Sequence, residues 1–226
     1  MITTTRYGTS AWIGNLIVIP EERGRGLGSA LMRHAVDHLH AGGAETLRLE
    51  ADPLGVNIYR RHGFVGEFVS PRFRLDEPPK DSGWHCAPVT RDELDAIAAF
   101  DAAAFGEHRG RLLRLLAEVS PAVVRVPARG AVSGYLMLQP SGTRLRVGPW
   151  VATEPHAAAE LLRAACGYAA GRPLVVAVPG PNRLGQDLLR SCGFAETPSS
   201  TRMVRGAGAA HGVPEMVYAM ASGAVG

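Results

Sequence analysis

Displaced by 130 positions, this sequence meets itself without a gap. Leu31 falls on Leu161, Arg33 on Arg163 and Ala35 on Ala165. Gly55 falls on Gly185, Gly63 on Gly193, Phe64 on Phe194 and Arg72 on Arg202. The coincidences respect the order of elements: a first helix, a second helix, a Gly-Phe turn and the strand after it. Such self-similarity implies two related folding units. The 226 residues are enough for two small domains. Between the copies lies DEPPKDSG, residues 76–83, polar, with a Pro-Pro pair and no periodicity. It reads as a linker, so the expected domains are 1–75 and 84–226.

The local patterns alternate strands and helices. AWIGNLIVI, residues 11–19, is apolar and β-branched, the pattern of a buried strand, and Pro20 ends it. Leu27, Ala30, Leu31, Ala35 and Leu39 recur at helical spacing until Gly42-Gly43. A strand is expected over 46–50, a helix between Pro53 and Gly63, and a strand from Phe64 to Arg74. In the second half, Thr90 and Glu93 have capping-box spacing before a helix that reaches Phe105. A helix near 109–118, strands around 122–126, 130–139 and 143–152, an Ala-rich helix over 155–170, a strand at 174–178 and a helix at 182–191 follow. The fold class is α/β (α+β): two tandem folds with mixed central sheets flanked by helices.

Composition narrows the function classes. The net charge of +3 is mild and no block of like charge occurs. No basic face with interleaved aromatics is present, so nucleic acid is not an expected partner. Cys86, Cys166 and Cys192 are odd in number and lack CxxC spacing. They read as reduced thiols buried as small apolar residues, with no metal site. No apolar run approaches the ~20 residues that span a bilayer, and the N-terminus has no signal pattern. The expectation is a cytoplasmic protein that does not bind membranes.

One segment carries chemistry. After the apolar run and Pro20 come Glu21-Glu22, then Arg23-Gly24-Arg25-Gly26-Leu27-Gly28-Ser29, then a helix. A helix start leaves amides unpaired and partly positive. Glycines remove the side chains that would keep an anion at a distance. Arg23 and Arg25 add charge. The segment therefore reads as a diphosphate cradle. It is not the nucleotide-triphosphatase loop, because Gly28 is followed by Ser29-Ala30 rather than Lys-Ser/Thr. Nor is it the dinucleotide fingerprint, because the spacing is G-x-G-x-G.

Val18-Ile19-Pro20 followed by Arg23, Gly26 and Gly28, with Tyr59 four residues before Gly63-Phe64, resembles the GNAT acyltransferase superfamily. The resemblance implies acetyl-CoA as cosubstrate and an amine, small or peptidic, as acceptor. It implies that main-chain groups of Leu16, Ile17 and Val18 pair with the pantetheine arm. The stretch Arg23, Gly24, Arg25, Gly26, Leu27, Gly28 and Ser29 would hold the pyrophosphate. Tyr59 would protonate the departing thiolate; its plainer reading is a packed amphipathic aromatic. Glu50 is the best-placed proton acceptor and Asp52 the next. Asp52 departs from the Asn usual in the family. A solvated strand-end carboxylate is the plainer reading of Glu50, and His62 reads as a surface helix residue. The alternative to an enzyme is a non-catalytic CoA-binding or regulatory module.

The second half resembles the C-terminal acetyltransferase domain of the YitH/HolE type. The likeness rests on Asp101-x-x-x-Phe105-Gly106-x-x-Arg109, Gly134-Tyr135, Gly148-Pro149-Trp150-Val151, Gly193-Phe194 and Arg202-Met203. Its chemistry looks impaired. Thr153, His156 and Ala158 stand opposite Arg23, Gly26 and Gly28, and Leu189 stands opposite Tyr59. His108 replaces the usual Asp. Phe105 and Arg109 read either as pocket-lining or as a core aromatic and a surface arginine. A complete GNAT fold has a strand, two helices and two strands before the cofactor strand. The first copy has only residues 2–8 there, so it is expected to lack its N-terminal elements. The resulting sheet edge invites self-association as a homodimer.

Overall fold

The computed structural model of the chain describes residues 1–79, 83–127, 129–206 and 212–226. Residues 80–82 of the expected linker lie outside them. In chain order the elements are β1 (Thr3–Tyr7), β2 (Ser10–Gly14), α1 (Leu27–Ala41), β3 (Thr46–Ala51), α2 (Val56–Arg61), β4 (Val65–Leu75), β5 (Ala87–Pro88), α3 (Leu94–Phe105) and α4 (Gly110–Val119). Then come β6 (Ala122–Val126), β7 (Gly134–Ser141), β8 (Arg144–Ala152), α5 (Pro155–Ala169), β9 (Leu174–Ala177), α6 (Arg183–Ser191), β10 (Ala195–Arg205) and β11 (Val217–Ala219). The α/β class with mixed sheets and flanking helices is as the patterns imply.

The chain forms two compact units: Met1–Ser70 with Ser199–His211 and Ser222–Gly226, and Pro71–Pro198 with Gly212–Ala221. In the first unit β1 and β2 form an antiparallel hairpin from Thr3↔Gly14 to Tyr7↔Ser10. β2 then runs parallel to β3 for only three pairs, Ser10↔Thr46, Ala11↔Leu47 and Trp12↔Arg48. Beyond Trp12 the two strands part. The strand expected over residues 11–19 therefore ends early, at Gly14. Asn15 adopts the left-handed conformation, φ 52°, which turns the backbone out of the ladder. Ile17 and Ile19 are consequently exposed, at 51% and 59%. Apolar composition was a sound guide to Ala11, Trp12 and Ile13, all buried, and misleading past the turn.

α1 covers this sheet with Met32, Ala35, Val36 and Leu39, one stripe at three- and four-residue spacing. The stripe is rotated from the one expected, because Leu27 stays 43% exposed at the helix start. Leu47, Leu49 and Phe64 complete the core together with Met203 from β10.

In the second unit the order is β4, β9, β8, β7, β6, β5, with β11 on β8. Side chains of β7 alternate between two clusters. Leu136 and Leu138 join the α5 side, and Tyr135 and Met137 join the side of α3 and α4. The Thr90–Glu93 cap forms, with Thr90 N–H donating to Glu93 Oε2 at 2.9 Å. Arg109 is neither pocket-lining nor at the surface. Its side chain is fully buried, donates to both oxygens of Asp101 at 2.7 and 2.9 Å, and lies 3.8 Å over the Phe105 ring. Tyr135 donates to the same carboxylate at 2.5 Å. Burial, then the Asp101 charge, pushes this phenol well above its ordinary range. The pair is closed and satisfied, so it holds core geometry rather than a ligand.

Each unit takes a strand from the opposite half of the sequence. In the first, β10 pairs antiparallel with β3, from Thr201↔Ala51 to Arg205↔Leu47. In the second, β4 pairs antiparallel with β9, from Arg72↔Ala177 to Leu75↔Leu174. Arg72 and Arg202 are repeat-related positions, so equivalent strands of the two copies are exchanged. The contact-defined units divide within β4 and β10, at Ser70/Pro71 and at Pro198/Ser199, whereas the expected blocks are 1–75 and 84–226.

Candidate active site

The loop after β2 is built for open approach. Ile17 exchanges two backbone bonds with Met1, donating at 2.9 Å and accepting at 2.7 Å. The N–H groups of Leu16 and Val18 find no backbone acceptor among the described residues. Pro20–Glu22 make one 3₁₀ turn, closed by Arg23 N–H donating to the Pro20 carbonyl at 3.2 Å. Gly24 and Gly26 follow with φ of 77° and 80°, a conformation that strains any other residue. A Cβ built on either meets nothing within 4 Å, so both face open space. Gly28 differs: its Cβ would rest 3.7 Å from Val18 Cγ2, an ordinary contact. The first helical bond of α1 runs from Ala30 N–H to the Gly26 carbonyl. The amides before it, from Gly24 to Ser29, have no backbone acceptor among the described residues. Fixed amides, positive helix end and absent side chains fit a diphosphate.

The two arginines do more local work than their charge suggests. Arg23 Nε donates to the Val18 carbonyl at 3.0 Å, bracing the loop. Arg25 pairs with Glu22 at 2.5 Å on the exposed side. Ser29 Oγ lies 3.2 Å from His62 Nε2, which ties the start of α1 to the end of α2. Burial, then Arg33, Arg205 and Arg61, hold His62 below its ordinary range. The imidazole is therefore neutral at neutral pH. By its place in the sequence His62 reads as a surface helix residue; nothing in the chain's periodicity points across to Ser29.

Tyr59 is carried by α2, half-buried and edge-on to Phe64 with ring centroids 6.4 Å apart. Burial, then the Asp52 charge, raises its phenol above 10.0. It keeps its proton throughout the neutral range. Gly55 lies under the ring: a Cβ there would meet Tyr59 Cε2 at 3.0 Å. Asp52 itself is exposed, and its carbonyl accepts from Gly55 N–H at 2.7 Å.

Glu50 sits on the part of β3 that has left β2. It is not solvated: its side chain is 1% exposed. Ser70 Oγ donates to Oε1 at 3.1 Å, Arg202 Nε to Oε1 at 3.0 Å, and Ser200 Oγ to Oε2 at 2.7 Å. Gly223 covers it from the C-terminal segment, where a Cβ would come 3.3 Å from Glu50 Cβ. The neighbouring Ala224 packs on Gly14. Ser70, Ser200 and Arg202 were not legible as site residues, since two of them are 150 and 152 residues from Glu50.

The corresponding place in the second unit is closed. β8 continues to Ala152 and α5 begins at Pro155, so Thr153 and Glu154 alone connect them. There is no glycine, and an acidic residue caps the helix start. The backbone of Trp150 and Val151 is paired with β11 through Ala219 and Val217. Met220 N–H donates to the Ala177 carbonyl at 3.0 Å. Asn182 caps α6 by accepting from Gly185 N–H at 2.7 Å, and it donates to the Val217 carbonyl at 3.0 Å. Leu189, opposite Tyr59 in the repeat, is buried. β11 is three residues long and had no signal in the sequence.

Two domain profiles described as acetyltransferase (GNAT) domain match the chain, one over residues 1–66 and the other over 97–219. The chain belongs to the GNAT acetyltransferases. Both copies of the repeat are thus GNAT domains in the same polypeptide. Solved structures share the fold. A Pyrococcus horikoshii protein assigned to the acetyltransferases superposes with TM-score 0.86 at 24% identity, covering 100% of this chain and 75% of its own. A GCN5-related N-acetyltransferase from Sphaerobacter thermophilus gives 0.64 at 18%, covering 90% and 75%. A tandem GNAT protein from the clavulanic acid biosynthesis pathway gives 0.59 at 17%, covering 90% and 77%. Comparison with curated proteins returns no match. Among the described residues no cluster of His, Cys, Asp and Glu is placed to hold a metal ion. No described helix is long and apolar enough to cross a membrane. Cys166 is buried, Cys86 half-buried and Cys192 exposed, so the expectation of three buried thiols fails for Cys192. Burial pushes Cys86 up to about 12 and Cys166 up to about 11, which leaves both as thiols.

Proposed function

We propose that the first unit transfers an acetyl group from acetyl-CoA to a primary amine. The observation that carries this reading is the loop from Gly24 to Ser29, whose amides have no backbone acceptor among the described residues and whose Gly24 and Gly26 leave open space before α1. Bound acetyl-CoA supplies an activated thioester. The amides hold its diphosphate, and the N–H groups of Leu16 and Val18 are available to the pantetheine arm. Ile17 contributes its exposed side chain, since its backbone is engaged by Met1. The amine nitrogen forms a bond to the thioester carbon as the carbon–sulfur bond breaks. Glu50 takes the proton the nitrogen sheds, through one water, and Tyr59 gives its proton to the departing sulfur. Exchange with solvent returns the proton from Glu50 to Tyr59, and amide and free CoA are the products. The second unit is a YitH/HolE-like GNAT fold kept for structure. We place the protein in the cytoplasm, with neither nucleic acid nor membrane as a partner, and β1 as the edge of a homodimer.

Calorimetric titration with CoA tests the reading and is expected to give one site per chain, since β11 occupies the backbone of β8 in the second unit. Two sites would overturn that part; no heat would overturn the whole. Tyr59→Phe removes the proton donor and keeps the ring. It is expected to lower kcat by about 100-fold while CoA affinity stays within about twofold. Because burial and the Asp52 charge raise the phenol above its ordinary range, it stays protonated through neutral and mildly alkaline pH. The wild-type rate should therefore show no Tyr59-dependent fall between pH 7 and about 9, and a fall in that window removed by Tyr59→Phe would contradict the assignment. Burial of Glu50 favours a second reading, a non-catalytic CoA-binding module. It predicts binding without thiol release across a broad panel of primary amines.

A further inference from the structure

We infer that Arg202, supplied by the other half of the sequence, is a positioning residue for acetyl transfer in the first unit. The inference rests on the assignment of Glu50 as the proton acceptor. Arg202 and Glu50 are directly opposed in the β10–β3 ladder. The Arg202 guanidinium lies 4.8 Å from the centroid of the Trp12 ring and 4.7 Å from that of Phe68, so it is fixed from two sides. Trp12 is the last residue of β2 still paired with β3, which sets the ion pair where the strands part. A buried carboxylate must have its lone pairs satisfied. Here Oε1 accepts from both Ser70 and Arg202, whereas Oε2 accepts from Ser200 alone among the described residues. Arg202 thereby engages one oxygen and turns the other, with its spare lone pair, to a single orientation. A positioned base needs that geometry before it needs any particular basicity. Strand exchange makes the first unit's chemistry depend on a residue that the repeat would assign to the second copy.

Arg202→Gln and Arg202→Lys test this beside Glu50→Gln and the Arg202→Gln/Glu50→Gln double variant. Thiol release from acetyl-CoA is followed over a primary-amine panel, CoA affinity of the unloaded protein by calorimetry, and folding by thermal melting. Arg202→Gln should lower kcat about 30-fold and leave KM for acetyl-CoA and the CoA Kd within about twofold. Arg202→Lys keeps the charge and one donor and should recover part of the rate, to within about fivefold of wild type. Arg202→Gln should have no further effect on kcat in the Glu50→Gln background, because both changes remove one function. If Arg202→Gln does not fold, Arg202→Lys decides. A folded Arg202→Lys with lowered kcat and unchanged CoA affinity then supports the inference, and wild-type kcat overturns it. A folded Arg202 variant that loses kcat and CoA affinity together, or that still loses kcat in the Glu50→Gln background, overturns it. Full activity of Glu50→Gln alone, or no thiol release by the wild type, overturns instead the reading on which it rests, and the inference with it.

Discussion

Gly26→Val is expected to abolish measurable CoA binding while the chain still folds. Position 26 caps α1 at φ 80°. A β-branched residue there costs roughly 1–2 kcal/mol in backbone strain, against a domain stability of about 5–15 kcal/mol. Nothing in the protein obstructs the new side chain, because the space beyond Gly26 is open. The loss falls on the ligand. The isopropyl group would occupy the approach to the amides at the start of α1. Losing two charge-assisted amide–phosphate bonds at about 1.5–3 kcal/mol each weakens binding by more than roughly 100-fold. Gly28→Ala provides the control. Its Cβ makes only an ordinary contact with Val18 and its φ is not positive, so affinity should stay within about threefold. Calorimetry on both variants, with circular dichroism to confirm folding, decides the matter. Wild-type affinity in Gly26→Val would remove the diphosphate from this loop.

Expressed separately, residues 1–75 and 84–226 should each fail to fold, and refolded together they should recover CoA binding. Without β10 the first piece lacks Met203, fully buried in its core, at about 2–5 kcal/mol for such a loss. It also leaves Glu50 buried without Ser200 and Arg202, at about 3–5 kcal/mol for an orphaned charge. Together these match the whole stability of a typical small domain. The second piece lacks β4 and with it Phe73, 1% exposed in the larger core, at about 3–5 kcal/mol. Far-UV circular dichroism and proton NMR dispersion of each piece, alone and mixed, measure the effect. A first piece that binds CoA by itself would show that the exchanged strand is dispensable.

The periodic elements were legible because their signals are local. α1, α3, α5 and strands β6, β7, β8 and β9 lie within a few residues of the spans their patterns imply, and the Thr90–Glu93 cap forms as spaced. Gly24 and Gly26 were legible for the same reason, since a left-handed backbone before a helix needs glycine. What escaped depends on partners distant in sequence. Residues 15–19 have strand composition, yet one left-handed residue, Asn15, removes them from the sheet. β11 is too short for periodicity and exists because β8 offers it an unpaired edge. Glu50 looked like a strand-end carboxylate because its donors are a serine on β4 and two residues on β10. Arg109 looked like a surface residue because Asp101, which neutralises it, lies a helix turn and a loop away.

Trading strands also makes each repeat depend on a segment of the other. An idle duplicate is ordinarily pruned, since deleting it harms nothing. Here the copy without a glycine loop donates Ser200, Arg202 and Met203 to the first unit, so deleting it would open that unit's core and strip Glu50 of two of its donors.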